Sequence, residues 1–459
     1  MCAVVGVYGS EEASKIAYYA LFAMQHRGQE SSGIAASNGK EITLIKNRGL
    51  VTKVFNEDSF KVLNGKCAIG HNRYSTAGKD SVLDAQPVFA RYKLGEIAIA
   101  HNGNLTNKLK VREELIAKGA IFQTFMDTEN IIHLVAKSQK DRLENRIVDA
   151  INKIEGAYCL IIQSRAKMFV IRDKYGIRPL SIGKLEDGGY IVASETCAFD
   201  LVGATFERDV KPGEMIVFEK CEDGKTTFRS EQLFEPDYHP CAFEYIYFAR
   251  PDSVIDGKNV YETRFKCGEE LAKEHPVDVD IVLPVPDSGV AAAMGYAKGI
   301  GKPFKMGIVR NHYVGRTFIE PTQKIRDLKV KLKLSPITHI IKGKKVAIVD
   351  DSLVRGTTSR QIVKMLKEHG AKEVHMLIAA PEIKYPCRYG IDTPTKEELI
   401  SNSHTPEQIA KKIGAKSVGF MSIDGLKKAL GEDREYSLVS FDGNYFAGGC
   451  AESLNCSGK

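Results

Sequence analysis

Two adjacent carboxylates follow a short apolar run in the second half of the chain. Residues 346–349 are Val-Ala-Ile-Val, Asp350 and Asp351 come next, and residues 357–359 are Thr-Thr-Ser. The pattern predicts a buried strand, a turn, and a helix whose N-terminal N–H groups and hydroxyls bind an anion. The Gly-Lys-Ser/Thr of a P-loop is missing from residues 346–359. Paired acids fit a ribose diol and a Mg²⁺-bound ligand better than a dinucleotide. The alternative is an ordinary parallel strand followed by its capped helix.

Cys2 is the second candidate for chemistry. Methionine is usually removed when the next side chain is small, and removal of Met1 would leave Cys2 with a free α-amine. The unperturbed pKa of such an amine is about 7.7–8.0, so it can accept the thiol proton near neutral pH. Nucleophile and base would then share one residue. A cysteine at this position is more often incidental, so the hypothesis depends on the residues that accompany it.

The whole chain sets limits on function. Its 459 residues are enough for two or three domains, and its net charge of +7 is interspersed, which favours an anionic ligand and does not indicate nucleic acid. The ten cysteines lack the paired spacing of a secreted disulfide scaffold. We find no signal peptide and no transmembrane run, so we expect a cytoplasmic protein with no membrane partner.

The pattern of predicted elements changes along the chain. Residues 1–235 alternate β-rich runs with a few helices, and the two prolines of Phe234–Pro240 indicate a linker. From about residue 262, alternating strands and helices predict a parallel sheet, whose ligands bind at strand carboxyl ends. The predicted strands are Ala3–Tyr8, Glu41–Lys46, Ala68–Asn72, Glu96–His101, Tyr158–Ile162, Met168–Ile171, Asp280–Leu283, Phe304–Val309, 345–349 and Glu373–Ala379. The predicted helices are Ser14–Met24, Asp127–Ala136, 262–274, 289–299 and 357–369.

Four motifs accompany Cys2: His26–Gly33, Gly70–Gly78, His101–Asn107 and Asp127–Glu129. Together they resemble the glutaminase domain of amidotransferases with an N-terminal cysteine nucleophile. The resemblance implies that Arg73 binds the glutamine α-carboxylate as a bidentate fork and that Asp127 binds the α-ammonium. It also implies that the Asn102 side chain and the Gly103 N–H form an oxyanion hole. In isolation, Asn-Gly is more typical of a hairpin turn.

The segment around Asp350 resembles the phosphoribosyl pyrophosphate (PRPP) motif of type I phosphoribosyltransferases. The loop Pro284–Gly289 would hold pyrophosphate, and Ser288, Asp350 and Asp351 would lie near Mg²⁺. The resemblance implies these PRPP-binding residues: Asp287, Ser288, Gly289, Asp350, Asp351, Ser352, Arg355, Gly356, Thr357, Thr358 and Ser359. The basic stretch Arg310–Lys333 matches a flexible loop that would close over PRPP, although a solvated surface segment is the simpler interpretation of its charge.

The two halves together resemble the family of glutamine PRPP amidotransferases. The fold implied is an α+β N-terminal-nucleophile sandwich (αββα) at 2–235, a bridging segment at 236–261, an α/β parallel-sheet type I phosphoribosyltransferase domain at 262–430, and a C-terminal extension at 431–459. The activity implied converts PRPP, glutamine and water to 5-phosphoribosylamine, glutamate and pyrophosphate, the first step of de novo purine biosynthesis. Mg²⁺, purine nucleotide feedback inhibitors and a homotetramer are further expectations from the resemblance.

Many relatives in this family hold a [4Fe–4S] cluster on four cysteines. Cys241 and Cys387 match two of those positions, but Ser437 and Ser440 stand where the other pair is expected. Serine is a poor substitute for thiolate at iron, so we expect the site to carry no cluster. Cys450 and Cys456 lie later in the chain, at a spacing different from the family's, and stay open as replacement ligands.

Two other functions fit part of the sequence. One is a cysteine amidotransferase that acts on a sugar phosphate or on aspartate, but the segments 284–289 and 346–359 argue against it. The other is a PRPP-sensing regulator with a degenerate catalytic half, and the presence of Cys2, Arg73, Asn102 and Asp127 argues against that.

Overall fold

The computed structural model describes residues 1–74, 81–221, 224–311 and 333–449. Within these ranges, the first part of the chain forms two antiparallel sheets. Its strands are β1 Ala3–Tyr8, β2 Ser31–Ser37, β3 Ile42–Arg48, β4 Cys67–Arg73, β5 Val88–Tyr92, β6 Gly95–Leu105, β7 Gly156–Ser164, β8 Met168–Arg172, β9 Ser181–Lys184, β10 Tyr190–Ala193, β11 Thr205–Asp209, β12 Glu214–Lys220 and β13 Thr226–Gln232.

The two sheets lie face to face. Their strand orders are β11-β9-β10-β1-β4-β2-β3 and β13-β12-β8-β7-β6-β5. Val4 of β1 packs in a core shared with Ile161 of β7, whereas Ala3 and Val5 pack in a second core with the helix Ala13–Ala23. This alternation follows from the period of two along a strand. Each sheet therefore buries one face against its partner and can bury the other under helices.

Helices cover those outer faces. They are Ala13–Ala23, Val51–Val54, Glu57–Val62, Lys108–Ala117, Asp127–Lys137, Leu143–Ile151 and Cys197–Val202. Short 3-10 turns form at Gln25–Arg27 and Val82–Asp84. Ile131 and Val135, one helical turn apart, pack in the same core as Leu160 of β7. The four layers confirm the predicted αββα sandwich.

The second part contains a parallel sheet with the strand order β16-β19-β20-β21. Its strands, with two short hairpins, are β14 Val254–Ile255, β15 Lys258–Asn259, β16 Ile281–Pro284, β17 Ile308–Arg310, β18 Leu334–Pro336, β19 Lys345–Asp350, β20 Glu373–Ile378 and β21 Ser417–Phe420. Its helices are Val260–Glu274, Val290–Ile300, Thr338–Ile341, Thr357–Glu368, Ile400–Ser403, Pro406–Ile413, Ile423–Leu430 and Val439–Asp442, with a π-helix at Glu244–Phe248 and a 3-10 turn at Lys396–Glu398. This arrangement confirms the predicted α/β parallel-sheet domain. Across the described ranges, no helix is long and apolar enough to cross a membrane.

The strand predicted at Phe304–Val309 meets the parallel sheet only at its start. Phe304 makes one isolated bridge with Val282, and β17 then pairs antiparallel with β18 instead. Gly307 lies at the point of departure, and a Cβ there would lie 2.7 Å from the Leu283 side chain. Glycine weakens strands and marks such close approaches, so the apolar run is divided between two sheets.

Candidate active sites

Cys2 lies just before β1, where this strand meets the end of β4. Its side chain is buried, and its main-chain N–H donates to Oδ1 of Asn102 at 3.1 Å. The Tyr74 N–H donates to the Cys2 Sγ at 3.5 Å. Met1 is also buried, and that burial lowers the pKa of its ammonium to about 5. The structure therefore places the thiol and the residue-2 nitrogen inside the protein beside Asn102.

Asn102 and Gly103 lie within β6, which continues to Leu105. The Asn-Gly pair is thus part of a strand and not of a hairpin turn. Asn102 accepts the Cys2 N–H through Oδ1, while its buried Nδ2 has no hydrogen-bond partner among the described residues. A buried amide donor without a partner is costly unless a ligand completes it. Gly103 has φ +150°, and a Cβ there would lie 2.0 Å from the Ala157 carbonyl oxygen. Only glycine fits this position.

Arg73 and Asp127 supply opposite charges near the same strands. Arg73 ends β4 and is buried, with its Nη2 4.0 Å from Oδ2 of Asp84. Asp127 opens a helix and accepts the Leu105 N–H at 2.9 Å, with Nδ1 of His101 3.6 Å from its Oδ1. Burial alone would raise the pKa of Asp127, but His101, Lys108 and the Leu105 N–H lower it to about 2. Asp127 is therefore a carboxylate at every physiological pH.

We expect Asp127 to contribute to acid stability. Its folded pKa of about 2 lies below its ordinary 3.8, so its contribution is complete above pH 3.8 and is lost as the pH falls toward 2. The shift corresponds to about 2 kcal/mol in the free energy of unfolding. Urea unfolding between pH 5 and 3 should give a smaller pH dependence for Asp127→Asn than for the unsubstituted chain. Equal slopes would contradict the assignment.

Sequence reasoning assigned no role to Arg27, although it lies in the motif His26–Gly33. The Arg27 Nε donates to the Cys2 carbonyl at 2.9 Å, and its two Nη atoms donate to Glu195 and Glu244 at 2.6–2.9 Å. All three charged side chains are buried. Burial lowers the pKa of Arg27, but the charges of Glu244 and Glu195 outweigh it and raise this pKa above its ordinary value. A guanidinium that is paired with two carboxylates, and whose three nitrogens each donate a hydrogen bond, therefore holds the Cys2 main chain.

Asp350 and Asp351 lie at the carboxyl end of β19 and are both buried. The Asp351 N–H donates to Oδ1 of Asp350 at 2.9 Å, and the Ser352 hydroxyl donates to Oδ1 of Asp351 at 2.5 Å. The hydroxyl of Ser288 lies close enough to Asp351 to oppose the effect of burial on the pKa of this carboxyl. Burial, followed by the charge of Asp351, raises the pKa of Asp350 well above its ordinary value, and burial raises that of Asp351. Such a pair is suited to a bound cation.

The loop after β16 approaches β19 closely. The Val285 N–H donates to the Val349 carbonyl at 2.8 Å, and a Cβ on Gly289 would lie 2.5 Å from the same oxygen. This close approach of the loop to β19 places Ser288 beside Asp350 and Asp351. Asp287, in contrast, is exposed and pairs with Arg310 at 2.5 Å.

The other predicted PRPP residues lie around the start of the helix Thr357–Glu368. Gly356 is its N-cap, with φ +72°, and no side chain of the described residues caps the helix, so its first N–H groups can bind a ligand. Thr357 and Thr358 are exposed and Ser359 is buried. Arg355 is exposed and pairs with Glu398 at 3.2 Å. Most of the predicted flexible loop, residues 312–332, lies outside the described residues.

The bridging π-helix Glu244–Phe248 contacts groups at both sites. Glu244 binds Arg27, which holds the Cys2 carbonyl. Towards the acidic pair, the buried Arg264 donates to the Tyr245 carbonyl at 2.7 Å. Burial raises the pKa of Asp351, and the positive charge of Arg264 opposes that effect. The two candidate sites are therefore connected through one short segment.

Comparison with known proteins defines the family. A family model described as "Glutamine amidotransferase domain" matches residues 71–200, and one described as "Phosphoribosyl transferase domain" matches 260–403. Amidophosphoribosyltransferase 1, chloroplastic, of Arabidopsis thaliana is 51% identical over 446 residues, 97% of this chain and 78% of the relative. The chain belongs to the amidophosphoribosyltransferase family. Family members from Bacillus subtilis and Methanocaldococcus jannaschii are each 46% identical, over 97% of this chain and 94% and 97% of the relatives.

Solved structures of this family agree with the fold. The structure titled "Structure of the allosteric regulatory enzyme of purine biosynthesis" matches with a TM-score of 0.93 and 45% identity, over 99% of this chain and 98% of that one. A glutamine PRPP amidotransferase from B. subtilis complexed with ADP and GMP matches with a TM-score of 0.91 and 45% identity, over 98% of each chain. At this identity and coverage, the two-part fold is that of the amidophosphoribosyltransferase family.

Among the described residues, the position that the resemblance assigns to an iron–sulfur cluster holds two thiols instead of four. Cys241 and Cys387 are buried, and burial raises the pKa of Cys241 to about 11. Ser437 forms a β-bridge with Cys241, and the Ser440 carbonyl accepts the N–H groups of Lys384 and Tyr385. Two thiols and two serines cannot form a Cys₄ shell. Cys450 and Cys456 lie outside the described residues.

Proposed function

We propose that this chain converts PRPP, glutamine and water to 5-phosphoribosylamine, glutamate and pyrophosphate, the first committed step of purine biosynthesis that defines its family. The observation that carries the proposal is the presence in one chain of two distinct sites, a buried thiol beside an unpaired amide donor and an acidic strand end beside an open helix N-terminus. A glutaminase assay with and without PRPP tests it. Hydrolysis stimulated by PRPP supports the proposal, and hydrolysis unaffected by PRPP, with no pyrophosphate released, contradicts it.

In the glutaminase half, Cys2 is the nucleophile once Met1 is removed. The freed α-amine takes the thiol proton, and Sγ attacks the glutamine amide carbon. The Nδ2 of Asn102 and the Gly103 N–H stabilise the oxyanion that this attack forms. The α-ammonium then gives its proton to the amide nitrogen, and the C–N bond breaks as the carbonyl re-forms and ammonia leaves. Water then hydrolyses the γ-glutamyl thioester and frees glutamate. Arg73 and Asp127 hold the α-carboxylate and α-ammonium of the substrate, which fixes the amide over the thiol.

In the phosphoribosyltransferase half, the loop 284–289 holds the diphosphate and residues 350–359 hold the ribose hydroxyls and the 5-phosphate. Ser288, Asp350 and Asp351 offer hard oxygen ligands, and Mg²⁺ commonly uses one or two carboxylates together with substrate phosphates and water. Among the described residues, no group of three or more His, Cys, Asp or Glu side chains is placed to hold a metal, so the substrate phosphates would supply the remaining ligands. When bound, Mg²⁺ would neutralise charge on the diphosphate.

Ammonia from the first site displaces pyrophosphate at ribose C1. Free ammonia in bulk water is mostly protonated and therefore not nucleophilic, so an internal path between the sites has a physical purpose. The PRPP site would be completed by Asp287, Ser352, Arg355 and Thr357. To bind PRPP, Arg355 would leave its surface partner Glu398, and Asp287 would leave Arg310. Arg310–Lys333 would close over the substrate.

The domain bounds, the oligomeric state and the feedback inhibition are proposed from the chain's membership of its family. We propose a glutaminase domain at 2–235, a bridging segment at 236–261, a phosphoribosyltransferase domain at 262–430 and an extension at 431–459. A homotetramer and purine nucleotide feedback inhibition are proposed, the latter because a related structure holds ADP and GMP. Sedimentation and inhibition assays test these. Cytoplasmic location stays a prediction, which cell fractionation tests.

We expect the purified protein to be colourless, without stoichiometric iron and with activity insensitive to oxygen. The reason is that Ser437 and Ser440 stand where two of the four thiolates would be required. Iron analysis and visible absorbance on protein purified without air check the expectation. About four irons per chain and a brown colour would contradict it and would identify Cys450 and Cys456 as the remaining ligands.

A further inference from the structure

The segment Arg388–Gly390 of the second part of the chain contacts the candidate oxyanion hole. The Asn104 Nδ2 donates to the Arg388 carbonyl at 2.8 Å. Gly390 has φ +103°, and a Cβ placed on it would lie 3.1 Å from the carbonyl carbon of Gly103 and 3.2 Å from its Cα. The main chains of Gly390 and Gly103 therefore touch, although 287 positions separate them in the sequence.

The contacting segment is itself held firmly. Nε and Nη2 of Arg178 donate to the Tyr389 carbonyl at 2.9 and 2.7 Å, and the Arg178 side chain is fully buried. The Ala447 N–H donates to the Tyr389 hydroxyl at 2.8 Å. Arg178 also reaches Glu244 at 3.3 Å, so the segment joins the buried charges that hold Cys2. These hydrogen bonds therefore fix the position of Gly390 beside Gly103.

The sheet leaves the end of β6 in need of such support. β5 pairs with β6 only from Gly95 to Ile99, whereas β7 pairs with it through Leu105. At Asn102 and Gly103, β6 is therefore paired with a neighbouring strand of the six-stranded sheet on one side only, that of β7. An oxyanion donor contributes fully only when its position is fixed to a fraction of an ångström.

We propose that Arg388–Gly390 is a positioning element of the glutaminase reaction, which fixes the Gly103 N–H from the phosphoribosyltransferase side. The proposal rests on the proposed function, because it assigns Gly103 to the oxyanion hole. Gly390 must stay glycine because any side chain would displace Gly103. The glutaminase site is then complete only when both parts of the chain are docked.

The test is Gly390→Ala in the full-length protein. We expect kcat for glutamine-dependent synthesis to fall about tenfold, with the KM for glutamine changed less than about twofold, because the Gly103 donor acts on the transition state. Ammonia-dependent synthesis should stay within about twofold of the unsubstituted chain. Gly414→Ala is the matched control. Gly414 also has a left-handed φ of +79°, but apart from its chain neighbours no heavy atom of the described residues lies within 4 Å of a Cβ placed there.

Asn104→Ala provides a second variant, which removes the hydrogen bond to the Arg388 carbonyl without adding bulk. It tests the positioning role if Gly390→Ala does not fold. A selective fall in glutamine-dependent kcat supports the proposal in either variant. A kcat equal to that of Gly414→Ala, or equal losses of both activities, would overturn it. Absence of glutaminase activity in the unsubstituted chain would instead contradict the proposed function.

Discussion

Replacing Cys2 by alanine is expected to abolish glutamine-dependent synthesis, by a factor on the order of 10⁴ or more, because no other group can form the thioester. Ammonia-dependent synthesis at high pH should persist, because Asp350 and the PRPP residues belong to the other part of the chain. Cys67→Ala is the matched control, since Cys67 is also a buried cysteine of the glutaminase sheet. Glutamine-dependent turnover that survives in Cys2→Ala would show that another residue is the nucleophile.

The α-amine of Cys2 can be tested separately. A lysine inserted between Met1 and Cys2 should block methionine removal. The main-chain nitrogen of Cys2 would then stay an amide, which cannot accept the thiol proton. We expect a loss nearly as large as that of Cys2→Ala. Mass spectrometry of the active protein should show that Met1 is missing. Full activity in a chain that retains Met1 would contradict the role of the amine.

The second large effect is expected at the acidic pair. Asp350→Asn combined with Asp351→Asn should lower kcat/KM for PRPP by about 10²–10³-fold, because the cation that these side chains would hold contributes several kcal/mol. Basal glutamine hydrolysis without PRPP should persist. Asp278→Asn with Asp280→Asn is the matched control, because these two acids precede β16 at the opposite end of the sheet.

The stability of the same double variant distinguishes a functional pair from a structural one. Asp350 and Asp351 are buried together, and burial and mutual repulsion raise the pKa of Asp350. Removing both charges should therefore leave the free energy of unfolding in the absence of Mg²⁺ unchanged or increased. Urea denaturation measures it. A large loss of stability would mean that the pair supports the fold and would weaken its assignment to PRPP.

Much of the chemistry could be predicted because its signals are local. Asp350 is the last residue of the strand that positions it and Asp351 comes next, while Asn102 and Gly103 are adjacent in the strand that carries them. The boundaries of β1, predicted as Ala3–Tyr8, agree with the structure because its apolar run is continuous.

Other features depend on distant parts of the chain and could not be predicted. Arg27 meets its partners Glu195 and Glu244 across 168 and 217 positions, a separation that leaves no spacing pattern. The contact of Gly390 with Gly103 has the same origin, since nothing in either local sequence indicates the other. The run Phe304–Val309 has the composition of one strand, but tertiary pairing divides it between Val282 and β18.

The central claim is that one chain takes nitrogen from glutamine at Cys2 and delivers it to PRPP at a second site. Its most direct test supplies glutamine labelled with ¹⁵N at the amide together with PRPP, Mg²⁺ and an excess of unlabelled ammonium near neutral pH, and measures the isotope in the ribosylamine product. We expect ¹⁵N-phosphoribosylamine in equal amount to glutamate and pyrophosphate, with little dilution by the unlabelled ammonium. Unlabelled product, or glutamate formed without release of pyrophosphate, would contradict the account.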